Sequence, residues 1–396
     1  MLQISDRVSR IAASKTVQIG ELALAMQLRG RDVIQLATGE PDFDTPAVIR
    51  NAAIDAISRG ATRYTPVRGT PEIRAAICRK LSRDNQLHCT DDQIMVTAGA
   101  KQALALAIEV LVGARQEVIV PTPYWVSYPE MVKLADGIPV FTPLRADLGY
   151  KLSPDDLSRA ISARSRVLIL NTPGNPAGNV YTREELLSIA DVCRRHGIRI
   201  LSDEIYEKIV FNGRHHSIAA CDRRIADLTV TINGCSKAFA MTGWRIGYAA
   251  GRADIIAAMA KLAGQRTTCP SSISQAAASA ALDCRPGTIS DMTDAYRRRR
   301  DLMVAGLNAA GIRCRKPAAT FYLFADIRNL LGRKYRKQEL TSSQDFTMRL
   351  LEHAGVAVVP GEAFGAPHHI RLSFAAARKT IEQGIERIAA FIGQLS

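Results

Sequence analysis

The sequence predicts an α/β fold: a large domain with a mostly parallel, seven-stranded sheet wrapped by helices, followed by a smaller α+β domain. Two observations support this prediction. Short, continuously apolar runs alternate with helical patterns through the middle of the chain, as expected of strands that are covered on both faces. From about residue 285 onward, strand-like runs and a long closing helix follow one another without that alternation.

Seven β-rich runs predict the strands of the large sheet. They are QIMVTA (93–98), EVIVPT (117–122), IPVFTP (138–143), RVLILN (166–171), IRILSDE (198–204), LTVTING (228–234) and RIGYAAG (245–251). Helical stretches such as KQALALAIEVLV and REELLSIADVCRRH separate most of them. Because this alternation builds a parallel sheet, we expect ligands at the carboxyl ends of its strands.

The C-terminal part predicts a different layout. TFYLFADI, VAVVPG and HIRLSFA read as strands, and TIEQGIERIAAFIGQL reads as the closing helix. We therefore divide the chain into an N-terminal segment (1–45), a large ligand-binding domain (46–284) and a small domain (285–396). The N-terminal segment is expected to pack on the small domain or to cross to a partner subunit.

Composition excludes several classes of protein. The chain has 396 residues and a formal charge of +14, which suits anionic substrates and cofactors. We find no nucleic-acid-binding signature beside that charge, and we expect the basic run YRRRR (296–300) to form a solvated helix face. No apolar run of membrane-spanning length and no signal-like N-terminus is present, so we expect a cytoplasmic protein without a membrane partner.

The eight cysteines are scattered without a CxxC pair. This spacing predicts neither a metal site nor a disulfide framework. We expect reduced structural thiols.

Chemically useful residues follow the predicted strands. Gly99, Ala100 and Lys101 form a small-residue turn that opens a helix, which is a typical phosphate site. Trp125, on the next strand-end loop, is either a core aromatic or a ring that stacks on a flat cofactor. Asn175 lies in NTPGNPAG, whose prolines and glycines fix the backbone and so position an amide.

Charged or polar residues also follow two further strands of the large sheet, and one lies within a strand of the small domain. Asp203 and Tyr206 follow one buried strand, and a buried acid is costly unless a cation pairs with it. The next strand leads to Lys237, with Arg245 eight residues later. Arg371 lies inside a strand of the small domain, where a buried guanidinium needs a carboxylate.

Together these groups suit pyridoxal 5′-phosphate. That cofactor requires an amine for a Schiff base, an acid beside its pyridine nitrogen, donors to its phenolic oxygen and a phosphate clamp. Each element is weak alone, but their joint occurrence at successive strand ends is specific.

Seven longer motifs resemble one known family. They are ATGEPDFDTP (37–46), YTPVRGTPEIRAAI (64–77), PYWVSYPEM (123–131), NTPGNPAG (171–178), SDEIYE (202–207), SKAFAMTGWRIGYAAG (236–251) and GVAVVPGEAFG (355–365). Over essentially its whole length the chain resembles the class I aminotransferases of fold type I, most of all the bacterial aspartate aminotransferase subgroup.

The resemblance implies roles for the residues around the cofactor ring. It makes Lys237 the Schiff-base lysine and the general base and acid, and Asp203 the partner of the pyridinium nitrogen. Tyr206 and Asn175 would donate to the phenolic oxygen, and Trp125 would stack on the ring. These residues imply a PLP-dependent transaminase with ping-pong kinetics.

The resemblance also implies a phosphate clamp made by Arg245, Ser236 and the backbone amides of residues 99–101. Tyr64 would reach the phosphate bound by a partner subunit. A homodimer with shared active sites is therefore expected.

The resemblance also implies a set of substrate-binding residues, some for each carboxylate of the substrate. The substrate-binding set is Gly39, Trp125, Asn175, Arg371, Lys101, Ser14 and Thr16. Gly39 and Arg371 would hold the α-carboxylate, and Lys101, helped by Ser14 and Thr16, the distal carboxylate of aspartate or glutamate. The 2-oxo acid partners would be 2-oxoglutarate and oxaloacetate.

Some positions depart from the family pattern. Ala12 replaces a lysine found in relatives that accept prephenate, which disfavours that substrate. Lys15 replaces a small residue, and Arg266 either offers a second cation to an acidic substrate or faces solvent. The alternatives are an aromatic, prephenate or specialised biosynthetic aminotransferase, a PLP lyase, and a non-catalytic PLP-sensing domain.

Overall fold

The computed structural model describes residues 5–396, so residues 1–4 of the predicted N-terminal segment lie outside it. The first elements are α1 (Asp6–Ser9), α2 (Lys15–Leu28), β1 (Ile34–Gln35), α3 (Ala47–Ser58) and α4 (Pro71–Asn85). Strand β1 pairs in parallel with residues 356–357. The N-terminal segment is thereby joined to the C-terminal part of the chain.

A seven-stranded sheet follows, and its strands confirm the predicted runs. They are β2 (Ile94–Thr97), β3 (Glu117–Thr122), β4 (Ile138–Pro143), β5 (Ser165–Asn171), β6 (Arg199–Asp203), β7 (Thr229–Gly234) and β8 (Gly247–Ala250). Their spatial order is β2-β8-β7-β6-β5-β3-β4. Strand β8 runs antiparallel to both of its neighbours, and the remaining pairs are parallel.

Helices cover both faces of this sheet. They are α5 (Ala100–Leu111), α6 (Tyr128–Leu134), α7 (Pro154–Ala160), α8 (Arg183–His196), α9 (Arg223–Ala226), α10 (Ala253–Arg266) and α11 (Ser272–Leu282). Helices α5, α6 and α10 pack on one face, and α3, α4, α7, α8 and α11 pack on the other. Except in the edge strand β4, where Ile138 and Phe141 are exposed, alternate side chains are buried on opposite faces, so the strands read as continuous apolar runs.

The local sequence explains where helices begin and end. Helix α8 begins at a capping box, in which Thr182 and Glu185 each bond the backbone N–H of the other residue. It ends at Gly197, whose φ of +65° suits a residue without a Cβ.

The C-terminal part of the chain contains a smaller antiparallel sheet. The helices and strands of this part are α12 (Ser290–Ala309), β9 (Arg313–Cys314), β10 (Tyr322–Asp326), β11 (Lys334–Tyr335), β12 (Gln338–Glu339), α13 (Ser343–Arg349), β13 (Val356–Ala357), β14 (Val359–Pro360), β15 (His369–Ser373) and α14 (Arg378–Ile392). The sheet has the order β14-β15-β10-β9, and α12 packs on α14. The domain boundaries at 45/46 and 284/285 stay predictions.

Two expectations for this part are wrong. VAVVPG is not one strand, because the chain changes partner at Val358: β13 pairs with β1, whereas β14 pairs with β15 in the smaller sheet. The run 296–300 is not wholly a solvated face. Arg300 is 2% exposed, donates to Asp301 at 2.8 Å and to the Pro317 carbonyl at 3.1 Å, and lies over the Phe211 ring.

Within residues 5–396, none of the helices combines the length and the apolar character that crossing a membrane requires.

Candidate active site

A cavity of about 530 Å³ opens at the carboxyl ends of the parallel strands, where the sequence predicts the site. Helix α2 and strands β10 and β15 form its opposite wall. The cavity brings together Ser14, Thr16, Gly39, Ala100, Lys101, Trp125, Asn175, Asp203, Tyr206, Ser236, Lys237, Arg245 and Arg371. These residues come from eight separate segments of the chain, so their convergence depends on the fold.

Lys237 lies just beyond the end of β7. Its Nζ donates a 2.5 Å hydrogen bond to the Gly39 carbonyl and lies 6.0 Å from the centroid of the Phe321 ring. Burial lowers the pKa of the ammonium group to about 8, against a weaker opposing effect of the Glu40 carboxylate. A lysine with this pKa has a usable neutral fraction near pH 7, so it can act as a nucleophile and a proton acceptor.

Asp203 ends β6 and is 4% exposed. Its Oδ2 accepts a 2.7 Å hydrogen bond from the Tyr128 hydroxyl, and its Oδ1 accepts from the Ile205 amide at 3.3 Å. Burial raises the pKa of this carboxyl to about 6, although the two hydrogen bonds favour the charged form. No cation pairs directly with it in residues 5–396, so the carboxylate is available to one brought by a ligand.

Tyr206 meets a second buried tyrosine at the floor of the cavity. Its hydroxyl lies 3.0 Å from that of Tyr322, and burial raises the pKa of both groups, which keeps them protonated as donors. A Cβ added at Gly39 would lie 2.7 Å from the Tyr322 hydroxyl oxygen. The close approach of this loop therefore requires glycine at position 39.

Arg371 in β15 is 3% exposed, and burial lowers the pKa of its guanidinium. Nη1 donates to Oδ1 of Asn175 at 3.0 Å and Nη2 donates to the Ala37 carbonyl at 3.1 Å. The guanidinium carbon lies 4.1 Å from the centroid of the Tyr322 ring. All partners among the described residues are neutral and Nε has none, so a carboxylate partner for this guanidinium stays a prediction.

Asn175 is fixed by its own loop. Its backbone N–H donates to Oδ1 of Asn171 at 2.8 Å, and Nδ2 of Asn171 donates to the Asp203 carbonyl at 2.9 Å. This ties the loop after β5 to the end of β6.

The predicted phosphate-binding turn is also assembled. Gly99 has φ of +83° and precedes α5, whose N-terminus has no side-chain cap among the described residues. A Cβ at Gly99 would collide with the guanidinium of Arg245, so the two are packed together. Arg245 is held by the carbonyls of Thr242 at 2.9 Å and Ala98 at 3.4 Å. Backbone N–H groups, the helix dipole and one guanidinium thus face the same space, as an anion site requires.

The outer end of the cavity holds polar and apolar groups. Ser14 and Thr16 share a 2.9 Å hydrogen bond, and Lys101 lies 5.1 Å from the centroid of the Trp125 ring. Helix α2 adds Val17, Glu21 and Leu24, which the sequence analysis did not predict. Their spacing at i, i+4 and i+7 places them on one face of the helix, which is a signal available in the sequence.

Gly99, next to the lining residues of the phosphate-binding turn, and four other positions singled out in the sequence do not line the cavity. Tyr64 is 88% exposed on the same chain. Arg266 is exposed and forms a 2.5 Å ion pair with Glu109, which agrees with the alternative that it faces solvent. Lys15 is exposed at the start of α2, and the Ala12 amide donates to Glu130 at 2.9 Å.

Two site residues were not predicted from the sequence, Tyr128 and Tyr322, which bond the buried residues Asp203 and Tyr206. Tyr128 lies in PYWVSYPEM, three residues after Trp125, so a polar aromatic beside a strand-end loop was the available signal. The contact between Glu40 and Thr242, which joins the loop of Gly39 to the loop after Lys237, had no comparable signal.

Comparison with known proteins adds independent information. A model of the family described as aminotransferase class I and II matches residues 31–388. The chain is 44% identical to an aspartate aminotransferase of Bacillus sp. (strain YM-2), with 98% of this chain and 99% of the relative covered. It is 43% identical to an aspartate/prephenate aminotransferase of Cereibacter sphaeroides, with 100% of both covered.

A solved structure agrees with the fold. The crystal structure of the aspartate aminotransferase from Rhizobium meliloti matches with a TM-score of 0.97 at 43% identity, and the match covers 100% of both chains. The similarity therefore extends over both sheets and is not confined to the motifs.

Proposed function

The chain belongs to the class I and II aminotransferases, and on that premise we propose that it transfers the amino group of L-aspartate or L-glutamate to 2-oxoglutarate or oxaloacetate with pyridoxal 5′-phosphate as cofactor. One observation supports this most. Around the buried amine of Lys237 lie a buried acid without a cation, Asp203, and a buried guanidinium without a carboxylate, Arg371. A cofactor–substrate complex with a protonated ring nitrogen and an α-carboxylate would satisfy both.

The residues present fit this cofactor. Pyridoxal phosphate supplies an electron sink, which stabilises the negative charge left when an α-proton is removed. In the proposed arrangement Lys237 attaches it, Asp203 faces its ring nitrogen, and Tyr206 and Asn175 face its phenolic oxygen. Trp125 covers one face of the ring.

The phosphate end is assigned separately. Arg245, Ser236 and the N–H groups of residues 99–101 are the proposed clamp, because Arg245 packs on Gly99 beside the start of α5, which has no side-chain cap among the described residues.

Lys237 is the proposed proton carrier. Once a substrate amine has displaced it, Nζ would accept the α-proton and deliver a proton to the cofactor carbon that takes over the nitrogen, and the second 2-oxo acid would reverse this transfer. Its lowered pKa makes the neutral form accessible for the first transfer. Because the amino group is stored between two half-reactions, we expect ping-pong kinetics.

Substrate recognition is proposed at two points. Arg371, with Asn175 and the backbone of Gly39, holds the α-carboxylate. Lys101, with Ser14 and Thr16, holds the distal carboxylate at the outer end of the cavity. The names of the similar proteins support a dicarboxylic substrate.

We also propose a homodimer. Tyr64 is 88% exposed and does not line the cavity of its own chain, as expected of a residue that completes the site of a second copy. Sedimentation velocity should give twice the monomer mass, and Tyr64→Phe should weaken cofactor binding without lowering that mass.

A second candidate is transfer from aromatic amino acids or to prephenate. Val17 and Leu24, each 53% exposed, line the outer end of the cavity and could contact an apolar ring. The Cereibacter sphaeroides relative, an aspartate/prephenate aminotransferase, points the same way.

The deciding experiment is a visible spectrum of the cofactor-loaded protein during titration with single amino acids. Conversion of the absorption band by aspartate or glutamate, and its return with oxaloacetate or 2-oxoglutarate, would support the main proposal. Conversion by phenylalanine and return by prephenate alone would favour the second candidate. No band after addition of pyridoxal phosphate would contradict the cofactor assignment.

A further inference from the structure

The turn after β6 presents side chains to two opposite sides. Asp203 and Tyr206 line the cavity. Glu204 and Glu207 do not line it and instead enter a polar cluster between α4 and residues 212–217. Glu204 is fully buried, and the Glu207 side chain is 6% exposed. Two adjacent buried carboxylates are costly, so their partners need explanation.

Both oxygens of Glu204 are occupied. Oε1 accepts hydrogen bonds from the hydroxyls of Ser202 and Ser217, each at 2.8 Å. Oε2 lies 3.0 Å from Nε2 of His215 and accepts a long bond of 3.4 Å from the Asn85 amide. These four groups come from β6, the loop 212–217 and α4.

Glu207 is held by α4 alone. It forms an ion pair with Lys80, whose side chain is 4% exposed, and accepts from Nδ2 of Asn85 at 2.7 Å. The ammonium of Lys80 also donates to Oδ1 of Asn85 at 2.7 Å. Asn85 therefore bridges both carboxylates and the lysine, which makes one closed network.

This cluster does not need a metal ion. Ligand atoms of Glu204, Glu207 and His215 lie within 4.8 Å of one another, close enough for a cation. However, the Lys80 ammonium already supplies the positive charge at Glu207, and hydrogen-bond donors occupy the oxygens of Glu204. The network is instead a support for the turn that carries both glutamates.

We propose that Glu204 and Glu207 are positioning residues, which fix the turn that directs Asp203 and Tyr206 at the cofactor. The inference rests on the function proposed above. The turn is short and internally bonded: the Glu207 amide donates to the Glu204 carbonyl at 2.9 Å, and the Ile205 amide donates to Oδ1 of Asp203. A displacement of Glu204 or Glu207 should therefore also displace Asp203 and Tyr206, which belong to the same turn.

The charge of Glu204 also acts on Asp203. Burial is the main cause that raises the pKa of Asp203, and the nearby charge of Glu204 adds to the rise. The network thus affects both where the Asp203 carboxylate lies and how readily it ionises.

The test compares Glu204→Gln and Glu207→Gln with Glu117→Gln in the full-length protein loaded with pyridoxal phosphate. Glu117 is a matched control, since it is 4% exposed and accepts from Ser162 at 2.5 Å and Ser165 at 3.1 Å at the amino end of β3, away from the cavity at the carboxyl ends. The measurements are the thermal midpoint, the cofactor dissociation constant and the pH midpoint of the visible absorption band.

We expect all three variants to lower the thermal midpoint. Glu204→Gln and Glu207→Gln should also weaken cofactor binding by on the order of tenfold and shift the absorption midpoint, as loss of outer supporting contacts does at other sites. Glu117→Gln should leave both properties of the cofactor unchanged. Lys80→Arg, which keeps the charge, should shift the pH midpoint of the absorption band less than Lys80→Met does.

The proposal is overturned if the Glu204 and Glu207 variants lose stability like Glu117→Gln and keep the unmodified cofactor affinity and absorption midpoint. Should these variants not fold, Ser217→Ala removes one donor to Glu204 and Ser162→Ala one donor to Glu117, and the same comparison decides. An unmodified protein without any cofactor band would instead contradict the proposed function, so the two failures are distinguishable.

Discussion

The Tyr128 hydroxyl donates a 2.7 Å hydrogen bond to Oδ2 of Asp203, and both side chains are buried. Burial favours the neutral acid and is the main reason that the pKa of Asp203 is raised, to about 6 with all effects included. The hydrogen bond opposes that effect because it stabilises the carboxylate. Tyr128 therefore helps to keep Asp203 negatively charged where a cationic ring nitrogen would need it.

Tyr128→Phe should raise the pKa of Asp203 further and reduce kcat by about tenfold or more, since a hydrogen bond to a charged group contributes about 1.5–3 kcal/mol. The acid limb of the pH–kcat profile should move to higher pH. Tyr181→Phe is the control, because Tyr181 is equally buried but accepts from the Leu152 amide at 2.7 Å outside the site. An unchanged acid limb in Tyr128→Phe would contradict this role.

Lys237→Met should stabilise the cofactor-free protein at pH 7 by about 1–3 kcal/mol against urea. Folding lowers the pKa of Lys237 from 10.5 to about 8, so the unfolded chain binds the proton more tightly. The resulting penalty is complete below pH 8, shrinks as pH rises toward 10.5 and vanishes above it. The gain from Lys237→Met should therefore be smaller at pH 10 than at pH 7.

The control for that experiment is Lys15→Met, which replaces an exposed lysine. It should show no such difference between pH 7 and pH 10. A gain from Lys237→Met that is equal at both pH values would mean that added apolar burial, and not the proton equilibrium, is responsible.

The seven-stranded sheet was predictable because burial on both faces leaves its strands apolar throughout. Residues 229–234, for example, are all buried. The smaller sheet was harder to predict, since VAVVPG contains two strands that pair with different partners, and pairing depends on contacts with residues 34–35 and 370–371. Sequence pattern reports which residues are buried but not where a chain changes partner.

The site was predictable to the extent that its residues follow strand ends in order. Lys237, Asp203 and Asn175 could be found in this way. Their partners could not, because Tyr128 is 75 residues from Asp203 in sequence and Tyr322 is 116 residues from Tyr206. Likewise, the pattern of YRRRR resembles a solvated helix face, and only the packing around Arg300 reveals that it is buried.

Arg371→Lys should raise the KM of every amino acid by about tenfold or more, whatever its side chain, because it keeps the charge but loses a charge-assisted hydrogen bond worth about 1.5–3 kcal/mol. Lysine cannot reproduce the two parallel donors of a guanidinium. Steady-state kinetics with aspartate and with alanine test this. Arg300→Lys, a change at a buried arginine outside the cavity, should lower stability while leaving both KM values near the unmodified ones.

Lys101→Ala should raise the KM for aspartate on the order of tenfold and that for a neutral amino acid much less, as expected when a charge-assisted contact to one substrate is lost. The lysine lies over Trp125 at the outer end of the cavity, away from the groups proposed for the α-carboxylate. Lys15→Ala, at the exposed start of α2, should affect neither substrate. Equal increases for both substrates in Lys101→Ala would refute a role in side-chain specificity.

Glu21→Gln should lower the KM for aspartate by about two- to fivefold, the size of an exposed charge interaction. Glu21 on α2 lines the same end of the cavity as Lys101, and no ion-pair partner for it lies in residues 5–396. Its charge therefore opposes the distal carboxylate of a dicarboxylic substrate, and the isosteric amide removes the charge while keeping the shape. Because salt screens such effects, the gain should shrink between low and high ionic strength. A KM that stays the same at low salt, or that falls equally for alanine, would show that Glu21 does not influence the substrate side chain.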